Sequence, residues 1–278
     1  MNKTKQKIAI CFSGHPRSYK KCYENIKKYL LDRYDCDIFI SSYFMSDEIS
    51  NDIINIYNPI KYIFHNSYII QKKSDIYNDT LGKIKYLNVG LGNEKSHNID
   101  YKNYNLDNIL NNAFHIDKIN INNLTYEYIP SIFISQLFGI YDVSQLCFEY
   151  MNLNSIKYNY ILRMRLDTHI INKSGNENLE IFDTFKLKND EILFNSIQDY
   201  SHSAKVSDFY WAAIPDVYFK MANIYNRLHE VINFINSNNK CWYPIMGSIE
   251  TLIFIYTLIN KLIIIESKNK FIIHKNNM

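Results

Sequence analysis

The chain has 278 residues with 47% hydrophobic content, enough to fill a substantial core, so it reads as a folded globular protein. Its 31 basic and 28 acidic residues leave a net charge of +3 spread along the chain, too balanced for a nucleic-acid footprint. Five cysteines, an odd number without a Cys-x-x-Cys pair, fit a reduced, cytoplasmic setting better than a disulfide framework.

Lys7 to Ser13 is a short apolar run bounded by Gly14, the pattern of a buried strand. Its roughly five apolar residues are too few for a signal-peptide core. Gly14-His15-Pro16-Arg17-Ser18 makes a turn, and Tyr19 to Leu31 sets Tyr19, Tyr23, Ile26 and Leu30 among lysines, which predicts an amphipathic helix. Asp37 to Tyr43 is the next strand. Strand, helix and strand with short joins open a parallel α/β sheet, where ligands gather outside the carboxyl ends of strands. Ser13, Gly14 and Arg17 therefore stand where a nucleotide or phosphate would, with the planar fork of Arg17 suited to phosphate oxygens. The other reading is a turn carrying a surface arginine.

Pro59 to Phe64 reads as a third strand. Residues 74–123 lose periodicity, are rich in Asn, Asp and Lys, and suit an inserted loop region with one short helix near Leu106 to Phe114. His97 and His115 have no metal-ligand spacing and are expected on the surface. Pro130-Ser131 opens a helix with Phe133, Leu137, Ile140, Cys147 and Met151 on one face, ending at Asn152 to Ser155; Gln136 and Gln145 fall off its apolar stripe.

Tyr160 to His169 reads as a strand with two unlike faces. Tyr160, Leu162, Met164 and Leu166 share one side, while Arg163, Arg165, Asp167 and His169 share the other. Charge is rarely buried without partners, so such a strand is expected to deliver these groups to a site at its carboxyl end. Thr168 to Asn178 follows as a polar loop and Glu191 to Phe194 as a strand. Lys205 to Pro215 is aromatic and strand-like, and Asp216 caps a helix to about Ile235. Trp242 to Met246 is a loop. Ser248 caps the last helix with Glu250 in its first turn, and its apolar run from Leu252 is cut by Asn260-Lys261 before reaching spanning length, so no transmembrane segment is expected. Leu262 to Glu266 and Lys270 to His274 are two short strands.

Asp167-Thr168-His169 is the strongest local signal for chemistry. A carboxylate and an imidazole separated by one residue can both face a divalent cation that neutralises a diphosphate. The alternative is a salt bridge from Asp167 to Arg163 or Arg165 with His169 at the surface.

Several segments in order carry a resemblance: Ile8 to Arg17, Asp37 to Ser41, Ser135 to Ile140, Tyr160 to Asp167, Ser207 to Trp211 and Glu250 to Leu252. Together they are similar to microbial and viral glycosyltransferases of the GT-A type, over most of the chain except the 74–123 insertion. The resemblance implies an α/β fold with a GT-A-like, Rossmann-type mixed sheet flanked by helices. It implies one catalytic domain over 1–278, with a nucleotide-binding start (1–73), the insertion (74–123) and a metal and acceptor half (124–278). It further implies a UDP- or GDP-sugar donor, a glycan or glycoconjugate acceptor, and Mn²⁺ or Mg²⁺ on an Asp-x-Asp-like motif at Asp167, where His169 replaces the commoner second aspartate. A late histidine can complete the metal site in related folds, which nominates His274; the alternative is a polar residue in a frayed terminus.

Arg17 and Arg165 would serve the diphosphate or orient Asp167, with Ser13, Gly14 and Arg163 beside them. Asp208 and Glu250 are the candidates for the base that deprotonates the acceptor hydroxyl. Asp208 could instead hold sugar hydroxyls, and Glu250 could be a plain first-turn residue. Trp211, Trp242 and Tyr243 are candidate sugar-stacking platforms, against the commoner job of core packing. Rival functions are a nucleotidyltransferase-like enzyme and a non-catalytic carbohydrate-binding or degenerate transferase domain.

Overall fold

The first strand sets the layering. Ile8, Ile10 and Phe12 of β1 (Lys7–Gly14) belong to one buried cluster and Ala9 and Cys11 to another, because successive side chains point to opposite faces and both faces are covered. The computed structural model describes residues 5–66, 84–87, 114–115, 124–127, 131–171, 186–195, 197–200, 203–237, 240–241, 249–267 and 270–273. The 74–123 segment thus lies largely outside the described residues, as do His97, Trp242, Tyr243, Ser248 and His274. The helix expected near Leu106 to Phe114 lies outside them too, save for Phe114 itself, which is in a strand.

The helix after β1 is α1 (Tyr19–Ile26), continued by a π turn over Lys27–Leu31; β2 (Asp35–Tyr43) follows. Next comes α2 (Asp47–Tyr57), absent from the sequence reading above. Its signal is Ser46, whose hydroxyl accepts from the Ile49 N–H at 3.2 Å, with Asp47 and Glu48 in the first turn and Ile53 and Tyr57 buried. The chain then forms β3 (Lys61–His65), β4 (Ile84–Leu87), β5 (Phe114–His115), β6 (Leu124–Glu127) and the long α3 (Ser131–Asn154).

The charged segment is not one strand. β7 (Tyr160–Met164) stops, a turn closes with the Thr168 N–H donating to the Arg165 carbonyl at 3.1 Å, and β8 (Thr168–Ile171) begins. Asp167 therefore sits in a turn and is not on the strand face of Arg163. The remaining strands are β9 (Glu191–Phe194), β10 (Ile197–Tyr200), β11 (Ser203–Val206), β12 (Tyr210–Ala213), β13 (Lys240–Cys241), β14 (Ile263–Glu266) and β15 (Lys270–Ile273). The helix expected from Asp216 to Ile235 is broken. Pro215 opens α4 (Pro215–Ala222), a 3-10 turn spans Asn223–Tyr225, and α5 (Leu228–Ser237) resumes after Asn226 and Arg227; α6 (Ile249–Ile259) is the last helix.

Seven strands form the main sheet in the order β14-β9-β12-β7-β1-β2-β3. All neighbouring pairs are parallel except those of β12, which runs antiparallel to both β7 and β9. Numbering these strands by chain position (β1, β2, β3, β7, β9, β12, β14), the order from β3 is 3-2-1-4-6-5-7. The chain thus winds outward from β1 through β2 to β3, then returns to β7 on the other side of β1. That reversal is a topological switch point, and it opens a crevice at the carboxyl ends of β1 and β7. Residues of α1 and α2 cover one face, those of α3, α4, α5 and α6 the other. No described helix is long and apolar enough to cross a membrane.

Two glycines hold the crevice in shape by different means. Gly14 ends β1 at φ +110°, a conformation L side chains rarely adopt, and an added Cβ there would lie 3.7 Å from Arg165 Cγ. Gly139 lets α3 approach β1, yet an added Cβ would meet Ser13 Cβ at an ordinary 3.8 Å. Gly14→Ala is therefore expected to cost about 1–3 kcal/mol in denaturant unfolding. Gly139→Ala should gain up to about 1 kcal/mol through helix propensity; equal effects at the two positions would contradict this geometry.

Candidate functional site

Across the α3-side face of the sheet, register places Phe39, Cys11, Arg163, Trp211 and Phe194 in one row. Arg163 interrupts an otherwise apolar line and is 3% exposed. A buried cation needs partners, and its Nε donates to Ser13 Oγ at 3.3 Å while Nη1 donates to the Asp208 carbonyl. Burial pulls its pKa down to about 10, opposed by the nearby Asp208 carboxylate, so it stays charged at neutral pH. Trp211, by contrast, is 1% exposed and stacks on Tyr218 at 4.8 Å between centroids; it is a core residue and no stacking platform for a sugar.

Just beyond this row lies a cleft of about 640 Å³, counting space open to solvent, at the switch point. Its cationic part is Arg17, Arg163 and Arg165, with Gly14 and His15 from the β1–α1 turn. Arg165 is pinned: Nε and Nη2 each donate to one oxygen of Asp167 at 2.8 Å, the bidentate fork expected of arginine and carboxylate. Asp167 itself has 0% exposure. Arg17 is exposed and makes no hydrogen bond or ion pair among the described residues. Among the described residues no carboxylate lines the cleft.

The other part of the cleft is neutral and rich in acceptors. Ser41 Oγ donates to Asp142 Oδ2 at 2.8 Å, and Ser42 Oγ donates to the Gly14 carbonyl at 2.7 Å. Carbonyl and carboxylate oxygens only accept, so both hydroxyl protons are committed inward. The cleft therefore meets the lone pairs of these serines, alongside Tyr43, Ser135, Gln136 and Gly139. His65 Nε2 also lies 2.7 Å from Asp142 Oδ2, which ties β3, β2 and α3 together. Two buried atoms of the cleft residues, His15 Nδ1 and Gln136 Oε1, have no hydrogen-bond partner among the described residues. Sequence reading placed Gln136 on the helix surface and did not single out Ser41, His65 or Asp142.

Of the residues singled out from sequence, Gly14, Arg17, Arg163 and Arg165 meet in the cleft; Ser13 and Asp167 hold two of those arginines from behind. Asp208 is 8% exposed, and burial pushes its carboxyl above the ordinary 3.8, with Glu250 adding to the rise and Arg163 and Arg165 opposing it. His169 is turned away toward α1. The Asn25 amide bridges the peptide groups of Ile170, its oxygen accepting at 2.7 Å and its nitrogen donating at 3.0 Å, which fixes its orientation. That same nitrogen lies 3.1 Å from His169 Nε2, so Nε2 accepts and the neutral ring carries its proton on Nδ1.

A divalent cation does not fit Asp167 and His169 as they stand. Asp167 has no solvent exposure and is charge-balanced by the Arg165 fork, Nε2 of His169 accepts from Asn25, and no group of three or more His, Cys, Asp or Glu side chains converges as a metal site among the described residues. Burial, with Asp167 adding, pushes the Cys22 thiol up to about 12, so that thiol is protonated at neutral pH.

No protein-family model matches the chain, and no curated protein matches it in sequence. Fold and site together define an α/β protein with a seven-stranded mixed sheet and an arginine-lined cleft at its switch point.

His15 reports on that cleft. It stacks on Tyr43 at 5.3 Å, and its pKa is lowered from 6.5 by burial first, then by the positive charges of Arg17 and Arg165, with Asp167 opposing. It should be neutral at pH 7 and titrate below 6.5 when followed by imidazole NMR, and an anion in the cleft should move the midpoint up. A midpoint above 6.5 in the unliganded protein would contradict the cationic character described here.

Proposed function

We propose that the chain is a glycosyltransferase of GT-A type, moving a sugar from a UDP- or GDP-sugar to a hydroxyl of a glycan or glycoconjugate. The observation that carries this reading is the cleft at the switch point, with three arginines and, among the described residues, no lining carboxylate at one part and hydroxyl lone pairs at the other. The cationic part suits a diphosphate. The acceptor-rich part suits the N–H and O–H donors of a nucleoside.

In the reaction the anomeric carbon exchanges one oxygen for another. Its bond to the diphosphate oxygen breaks with the electron pair leaving on the diphosphate, and the acceptor oxygen forms the new bond. The acceptor proton passes to a carboxylate. Asp208 is the preferred base of the two candidates because Arg163 ties it to the cleft, and burial also holds its carboxyl above its ordinary range, with Glu250 as its electrostatic neighbour. Arg163 links the two halves of the chemistry, since its guanidinium lines the cleft while donating to the Asp208 backbone.

The test is a panel of UDP- and GDP-sugars with a mixed glycan acceptor, run with Mn²⁺, with Mg²⁺ and with chelator, reading released nucleoside diphosphate. Release is expected from at least one donor. The rate should rise with pH through a midpoint above 3.8, and Asp208→Asn should remove that limb and lower the rate about 10²–10⁴-fold. Absence of turnover with every donor would sink the reading, whether or not UDP or GDP stabilises the protein thermally. Pyrophosphate release from a nucleoside triphosphate would instead favour a nucleotidyltransferase, and glycan binding without turnover a carbohydrate-binding domain.

A further inference from the structure

The cleft must deal with the charge of a diphosphate, and two kinds of cation are available in principle: a divalent metal on carboxylates or fixed guanidinium groups. Asp167, the carboxylate nearest to such a role, has no exposure and gives one oxygen to each arm of Arg165. Freeing it for a metal would leave Arg165, 12% exposed at its side chain, without its counter-charge beside the incoming dication. The cost would be paid twice: once in breaking a bidentate buried pair and once in cation–cation repulsion inside a site lined by two further arginines.

The geometry points to the second solution. We propose that the cleft binds the diphosphate of a nucleoside diphosphate or nucleotide-sugar on arginine charge alone, with no divalent cation. Arg165 is the fixed cation, since Asp167 holds the Nε and Nη2 edge and leaves Nη1 for the ligand. Arg163 is the buried one, with Nε and Nη1 spent on Ser13 and Asp208 and Nη2 left over. Arg17 is the exposed one, at the cleft on the turn before α1, with a side chain long enough to reach a phosphate there. Asp167 is on this account a positioning residue that aims Arg165. The α1 end agrees with this, because Ser18 makes no side-chain cap and the first turn carries no acidic residue, so its N–H groups add to the positive field next to Arg17.

This inference rests on the diphosphate part of the glycosyltransferase reading but is tested separately from sugar transfer. The full chain is titrated calorimetrically with UDP, GDP and inorganic pyrophosphate, first in chelator and then with Mn²⁺. At least one probe should bind in chelator, Mn²⁺ should not tighten it by as much as about tenfold, and raising the salt should weaken it. Arg17→Gln, an exposed change that leaves the packing intact, should weaken binding in chelator about 10–100-fold. Arg165→Met combined with Asp167→Asn removes both charges of the pair at once and should weaken it by at least as much. Binding that requires Mn²⁺ and is lost in Asp167→Asn, or Arg17→Gln binding as tightly as the parent, would overturn the proposal even if a donor is turned over. Failure of every probe with and without Mn²⁺ would overturn it as well. Chelator-resistant binding without any transfer upholds it and sinks the glycosyltransferase reading instead.

Discussion

A carboxylate with no solvent exposure, held at both oxygens by one guanidinium, fixes the centre of this protein. Taking two charges out of water costs several kcal/mol per ion, recovered only where the geometry is good and the remaining donors are satisfied. The pair between Asp167 and Arg165 meets the first condition by its bidentate form. It forms within the turn that ends β7 and starts β8, so the backbone break and the ion pair depend on each other. Gly14 belongs to the same arrangement, because its backbone takes a conformation open to glycine while passing close to Arg165.

The cleft follows from that centre. Strand order sets β1 and β7 side by side where the winding direction reverses, and the two residues on either side of the β7 end are arginines. Arg163 points to the α3 side, into a row otherwise made of Phe39, Cys11, Trp211 and Phe194. Its retention there, bound to a serine hydroxyl and a backbone carbonyl, makes sense as support for a site at the end of the sheet. On the other side of β1, serine hydroxyls of β2 turn their protons inward and α3 contributes neutral polar groups. One crevice thus has a cationic part and an acceptor part, which the proposed function assigns to the diphosphate and the nucleoside.

Much of this was legible in the sequence where a physical pattern was local. Apolar runs announced β1, β2, β9 and β14, and the Pro130-Ser131 start announced α3. The clustering of Arg17, Arg163 and Arg165 followed from placing each at the carboxyl end of a strand. The alternation from Tyr160 to His169 misled because the turn at Arg165 to Thr168 contains neither glycine nor proline, so nothing in the pattern marked it. The broken helix from Pro215 was hidden in the same way, since its apolar positions keep helical spacing across the 3-10 turn at Asn223–Tyr225. The signal of α2 lies in the Ser46 cap and the acidic first turn at Asp47 and Glu48, and the modest apolar content around them hides it from a reading by periodicity. Partnership was the harder matter. Spacing alone offered Asp167 both a metal and an arginine, and three-dimensional geometry assigns both its oxygens to Arg165. Ser41, His65 and Asp142 converge from three separate elements, and no single stretch of sequence carries that meeting.

The most direct test is a crystal structure of the protein with UDP or GDP bound in the presence of Mn²⁺. The account predicts diphosphate oxygens within hydrogen-bonding distance of Arg17 and of the free nitrogens of Arg163 and Arg165, with the Asp167 to Arg165 fork intact and the nucleoside lying toward Ser41 and Gln136. A diphosphate bound elsewhere, or Arg165 swung away with Asp167 on a manganese ion, would contradict it.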